Sequence, residues 1–206
     1  MHNLKVALAT IIFCALIISS LFSSQTSSAN VAEKEDERLL RGSAVVSTEQ
    51  HPSGNHLVKA KILIKASPDI VWSSVHQERK SDPDLAYSRI LNQDREISTL
   101  EQKFVMLPII ATAICVMSNH EVPLQRIDYK LIKSNRFKAM EGSWILTPFD
   151  SGSSTILELS SYLDIGAPVP RILIDSITAK KLERRLTNVK IMSERIQVRL
   201  AHKLPS

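Results

Sequence analysis

The sequence predicts an α+β domain in which one antiparallel sheet of six to seven strands wraps around a single long C-terminal helix. Three observations predict it. The stretch from Pro170 to Leu200 runs without Gly or internal Pro and carries an apolar stripe. Upstream of it, strand-type segments follow one another with turn signals and no strong helix between them. Those turns are short, and short turns join antiparallel strands, not parallel ones. A sheet of this kind has one long helix to bury against, so it must curve around it.

The helix is the clearest element. Leu182, Leu186, Val189, Ile196 and Leu200 recur at spacings of three, four and seven, with the small Ser193 in the gap. At about 100° per residue they share one face. Pro170 suits a first helical turn, where no backbone N–H is needed. At roughly 1.5 Å per residue the helix is about 45 Å long, right for lying across a sheet. Its first two turns, with Ile172, Leu173, Ile174 and Ile177, are apolar nearly all round.

From the N-terminus, Met1–Lys5 is short and basic, and Val6–Phe22 is a seventeen-residue apolar run. Ser27-Ser28-Ala29 then fits the small-x-small cleavage rule. Residues 1–29 therefore read as a signal peptide with Asn30 as the mature start, and the alternative is an uncleaved anchor. Both place the folded part outside the cytoplasm: periplasmic, lumenal or secreted. Residues 30–55 are polar, with Glu33, Glu35, Asp36 and Glu37 clustered, and read as a linker holding at most one short strand at Ala44–Ser47. Within it Arg38-Leu39-Leu40-Arg41 has the Arg-x-Leu-Arg spacing of a host-entry signal of secreted oomycete effectors; a chance run is the plainer reading.

Residues 56–200 form the domain and 201–206 a tail. Leu57–Lys65 alternates as a strand. Ser67-Pro68-Asp69 starts a helix, with Ser as cap, Pro in the first turn and Asp on the dipole; its polar end, Gln77–Asp84, is expected to become a second short helix or loop. The strands follow at Tyr87–Leu91, Ser98–Leu107, Ile110–Ser118, Gln125–Lys133, Phe137–Leu146 and Ser154–Leu163. Turns are expected at Asn92-Gln93-Asp94, Ser134-Asn135 and Asp150-Ser151-Gly152. Gly142 inside a strand suggests a bulge.

Charge is uneven. Residues 171–206 hold nine Lys/Arg against three Asp/Glu, a net +6, while residues 30–170 carry −2. The basicity belongs to the last helix. Without interleaved aromatics or a recognition motif it does not point to nucleic acid. Lys180–Arg184 and Lys181–Arg185 are like-charge pairs four apart, each costing a helix about 0.2–0.5 kcal/mol. With few acids near in sequence, these four form a solvated face or one for an anionic membrane, and their removal is expected to leave folding intact or improved.

Several segments resemble a known group in order. Val58–Ile64 followed by Ala66-Ser67-Pro68-Asp69-Ile70-Val71-Trp72 is similar to the opening of the START-like (helix-grip) superfamily. Tyr87–Leu91, Arg126-Ile127-Asp128-Tyr129, and Phe137–Pro148 with its Gly142, Trp144, Leu146 and Pro148 are similar to its later strands. Pro168 and Pro170 sit before the last helix as in that family. The resemblance is to the polyketide cyclase/dehydrase group, in the branch related to ubiquinone-binding START proteins, and spans residues 56–200. It departs at Ser81-Asp82-Pro83-Asp84, where relatives carry an aromatic. It implies the helix-grip fold and an internal cavity, and no single chemistry.

Cavity-lining candidates are Val105, Leu107, Ile114, Val116, Trp144, Leu146, Leu157, Leu159, Leu163, Ile174 and Ile177; plain core is the simpler reading of each strand residue taken singly, and the cavity is a collective reading. Catalytic candidates are the strand residues Glu141, Asp128 and Tyr129, with Glu141 foremost if turned inward. Arg89, Arg126 and Arg136 are candidates for orienting a polar head group. The histidines have no metal-ligand spacing and no cofactor motif is present. Cys115 has no partner once Cys14 leaves with the leader, and reads as a buried thiol. The function expected first is non-enzymatic binding or transport of a lipid-like or isoprenoid-quinone-like molecule. A cyclase/aromatase-type enzyme on a polyketide-like substrate, or a secreted interaction protein, are the alternatives. A carrier needs an apolar cavity and an enzyme needs polar groups converging in it; no convergence is visible in the sequence.

Overall fold

A computed structural model describes residues 33–52, 54, 56–106 and 110–202. The leader read at 1–29 and the lining candidate Leu107 lie outside the described residues. A helical segment over 33–40 (α1) comes first. β1 (Val45–Gln50), β2 (His56–Ile64), α2 (Pro68–Lys80), β3 (Leu85–Asp94), β4 (Ile97–Met106), β5 (Ile110–Val122), β6 (Arg126–Ser134), β7 (Ala139–Phe149), β8 (Ser154–Asp164) and α3 (Arg171–Ala201) follow.

The strands form one antiparallel sheet in the order β1-β2-β8-β7-β6-β5-β4-β3. Among the described residues there are eight strands, not six to seven. The eighth is β1, the short strand allowed at Ala44–Ser47 within the linker, which runs on to Gln50 and pairs Val45 with Lys61 through Gln50 with His56. Only its first residues are buried, so its sequence looks polar. The two short helices expected after β2 are one, α2, which runs on to Lys80. Ser67 occupies the cap position with extended backbone, but its side chain makes no capping bond. Asp82 instead closes the following turn by accepting from the Asp84 N–H at 3.0 Å.

α3 buries Ile174, Thr178, Leu182, Leu186, Val189 and Ser193 along one stripe. It lies on β1, β2 and β8 and against α2. The larger core cluster forms there, with Ile62, Leu157, Leu159 and Leu186 fully buried. Each such side chain contributes about 1.5–3 kcal/mol of burial. A second cluster, including Cys115, Met117, Phe137, Ile165 and Ile174, lies toward the start of α3. The sheet from β7 to β4 curves away from the helix, and the space between the clusters is the cavity described next.

Gly142 makes no bulge. β7 keeps continuous register with both neighbours through it. A Cβ there would meet the Ser160 carbonyl oxygen at 2.1 Å and the Tyr129 hydroxyl at 2.6 Å. Glycine is needed because Tyr129 crosses over it to donate to the Ser160 carbonyl at 2.8 Å.

Candidate functional site

The cavity measures about 150 Å³ and lies between α3, α2 and the concave face of the sheet. Its two ends differ. Phe104, Phe137, Met140, Leu163, Ile165 and Ile174 make an apolar end. Ile177, on the next turn of α3, is 38% exposed at its edge. Arg79, Asp82, Gln102, Asn119, Lys181 and Arg185 make the polar end, with Tyr129 and Trp144 between.

The polar end is a set of ion pairs between α2, its following turn and α3. Arg185 grips buried Glu78, with Nε donating to both carboxylate oxygens at 2.9 Å and Nη2 to Oε2 at 2.7 Å. Its Nη1 lies 3.4 Å from Asp82, and its guanidinium sits 5.0 Å over the Trp144 ring. Lys181 meets Asp84 at 3.0 Å and Asp82 at 3.7 Å, and Arg184 meets Asp84 at 3.5 Å. From the last turn of α2, Arg79 donates to Glu121 at 2.8 Å. With the Asn119 amide turned to satisfy both its ends, Arg79 Nη2 donates to the Asn119 carbonyl at 2.7 Å.

These pairs set the protonation states. Burial alone pushes the Asp82 carboxyl up, but Arg185 and Lys181 beside it outweigh that and hold it below the usual carboxylate range. Burial works against the Arg185 charge, and the Glu78 carboxylate more than restores it. Burial pushes the Tyr129 phenol up. Burial likewise lowers His76, which faces Glu121 at 3.5 Å.

Of the lining candidates, Trp144, Leu163, Ile174 and Ile177 line the cavity. Leu146, Leu157 and Leu159 are packed in the larger core cluster instead. Val105, Ile114 and Val116 point the other way. Strand alternation turns Phe104 into the cavity and therefore Val105 out of it. On β5, Ala113, Cys115 and Met117 face in with Asn119, and Ile114 is left 41% exposed.

Among the catalytic candidates only Tyr129 reaches the cavity. Glu141 is on the opposite face of β7 from Met140, bonded to His51 at 2.8 Å and Lys130 at 3.2 Å. Asp128 faces outward and takes Arg126 at 2.6 Å. Neither Arg89, which pairs with Glu101 at 2.9 Å, nor Arg126 or Arg136 is at the cavity. The basic face of α3 is largely committed, since Lys181, Arg184 and Arg185 have the acids of α2 and its turn as partners. Lys180 is exposed. Cys115 is buried and donates to Ser134 Oγ at 3.4 Å. Among the described residues no cluster of His, Cys, Asp and Glu is placed to hold a metal.

The sequence reading missed Arg79, Asp82, Gln102 and Asn119. The signal for the last two was parity with inward Phe104 and Met117. For Arg79 no local signal existed, and for Asp82 the signal was the departure from the family pattern at Ser81–Asp84.

No family model matches the sequence. No curated protein matches it either. Solved structures do. A START superfamily protein from Mycobacterium smegmatis superposes with a TM-score of 0.59 at 17% identity, over 69% of this chain and 99% of that one. The Zhui aromatase/cyclase of a Streptomyces species gives 0.56 at 16%, over 68% and 93%. A STAR-related lipid transfer protein from Xanthomonas axonopodis gives 0.58 at 14%, over 73% and 93%. At such identities the likeness is one of fold. With its antiparallel sheet curved around a long C-terminal helix, the chain has the helix-grip fold of the START superfamily.

Proposed function

We propose that the protein binds a small hydrophobic molecule in this cavity and carries or sequesters it without reacting it. The observation that carries the reading is the cavity itself, apolar toward the start of α3 and walled at the other end by fixed charges. Structural neighbours named as a lipid transfer protein and an aromatase/cyclase support the binding of a hydrophobic molecule in this fold. Polar groups do converge here, which favours weighing an enzyme. Their state argues against acid–base work. Asp82 is held ionised between two cations and Tyr129 keeps its proton on the Ser160 carbonyl. The remaining carboxylates first considered, Glu141 and Asp128, face away.

The exposed apolar start of α3, where Ile172 is 81% and Leu173 46% exposed beside Ile174, supports ligand exchange there. If an anionic membrane is the docking surface, Lys180 and the exposed half of Arg184 are the cations left to meet it, and co-sedimentation with anionic against neutral vesicles tests this. The apolar run Val6–Phe22 supports work outside the cytoplasm, tested by N-terminal sequencing of the exported protein. Native mass spectrometry of protein purified from its own host tests the binding reading. A bound organic molecule released on activation is expected. A mass equal to the polypeptide alone, with no uptake of added alkylbenzene, contradicts it.

A further inference from the structure

We propose that the cavity selects an uncharged, hydroxyl-bearing molecule of single-ring size, such as an alkylphenol. This rests on the binding function above and narrows it. Size sets the first limit. A cavity of about 150 Å³ matches one known to hold benzene and falls short of the roughly 300–1,000 Å³ of drug-sized pockets. A multi-ring or two-chain lipid does not fit within it.

Charge sets the second limit. At the polar end every charge already has an opposite. Arg79 meets Glu121, Arg185 meets Glu78 and Asp82, and Lys181 and Arg184 meet Asp84. Four cations face four carboxylates. A charged head would enter without a counter-ion and give up its water for nothing.

Hydrogen bonding sets the third. Arg79 is at the wall with two of its five N–H bonds engaged, by Glu121 and Asn119, so it can donate to an incoming oxygen. Tyr129 spends its own proton on the Ser160 carbonyl, so to any further partner it offers only lone pairs. Asp82, ionised, also only accepts. A hydroxyl satisfies both kinds of neighbour: its oxygen accepts from Arg79 and its hydrogen goes to Tyr129 or Asp82. A ketone answers only the donor, a carboxylate lacks the hydrogen, and an ammonium lacks the acceptor.

The test is calorimetric titration of the protein with four probes of one shape: 4-propylphenol, 4-propyltoluene, 4-propylbenzoate and 4-propylbenzylammonium. The phenol is expected to bind on the order of tenfold more tightly than the toluene, and both ions more weakly than the toluene. Arg79→Met is expected to remove the phenol's advantage and leave toluene affinity unchanged, which also certifies the fold. If Arg79→Met fails to fold, Tyr129→Phe, which removes lone pairs offered to the hydroxyl hydrogen, serves as the second variant and is expected to lower the phenol's advantage over the toluene. Equal binding of phenol and toluene, or an ion binding as tightly as the phenol, overturns the head-group selection and leaves the cavity reading standing. A four-ring sterol binding as tightly as the phenol overturns the size limit. If none of the four probes binds, the binding function itself fails and this inference with it.

Discussion

Removing the Glu78 carboxylate is the sharpest perturbation of the site's architecture. Glu78 is 3% exposed and receives three contacts from Arg185 within hydrogen-bond range. In Glu78→Gln the Arg185 guanidinium keeps its place over Trp144 but loses its bidentate partner. Breaking a buried pair from one side costs about 3–5 kcal/mol. The low end applies here, because Asp82 remains 3.4 Å from Nη1 and still compensates part of the charge. Replacing both members by apolar residues of similar size, Glu78→Leu with Arg185→Met, should cost much less than the two single changes added together, since no charge is left stranded. Urea unfolding of the four proteins in a double-mutant cycle measures this. A Glu78→Gln protein within about 0.5 kcal/mol of wild type, the range of an ordinary surface change, would refute the claim that this pair clamps α2 to α3.

Asp82 has a folded pKa below its unfolded value, so its contribution to stability is present above the unfolded pKa, about 3.9, and fades as pH falls through the folded pKa; unfolding free energy of wild type measured from pH 5 down to pH 2 should drop more steeply than that of Asp82→Asn. Gly142→Ala should cost at least about 1–3 kcal/mol and lower the melting temperature, and adding Tyr129→Phe should not rescue it, because the 2.1 Å approach is to the Ser160 backbone. Changing Lys180, Lys181, Arg184 and Arg185 together to Gln should destabilise the protein by more than Glu78→Gln alone, opposite to what relief of like-charge repulsion predicts, with urea unfolding as the readout.

What the sequence made legible was what repeats along it. The α3 stripe is visible because Leu182, Leu186 and Val189 must return to one face every three or four residues. The meander is visible because its turns are local. β1 shows in the sequence only as a short strand at Ala44–Ser47, because it is an edge strand whose Ser47 to Gln50 are exposed and whose buried face ends at its first residues. The wall of the cavity was half legible. Alternation separates two faces of β5 but does not say which is concave, and the more aliphatic Ile114 and Val116 drew attention from Cys115, Met117 and Asn119. The polar end was illegible. Arg185 and Glu78 are 107 residues apart, and along α3 the basic residues see mostly one another. The departure from the family pattern at Ser81–Asp84 marked the place without revealing that Asp82 and Asp84 face α3.

A small hydrophobic molecule in the cavity lies beside Trp144. The chain has two tryptophans, Trp72 and Trp144, so Trp72→Phe leaves the cavity residue as the sole tryptophan, excited selectively at the red edge of the indole band. Trp72 is only partly buried against the core, with its edge toward His76, and the substitution is a mild one. Titrating this protein with 4-bromotoluene, whose heavy atom quenches on contact, is predicted to quench Trp144 emission saturably, and 4-propyltoluene is predicted to reverse it by competition. Emission that falls only linearly with probe concentration, with no competition, would mean that the cavity takes no ligand.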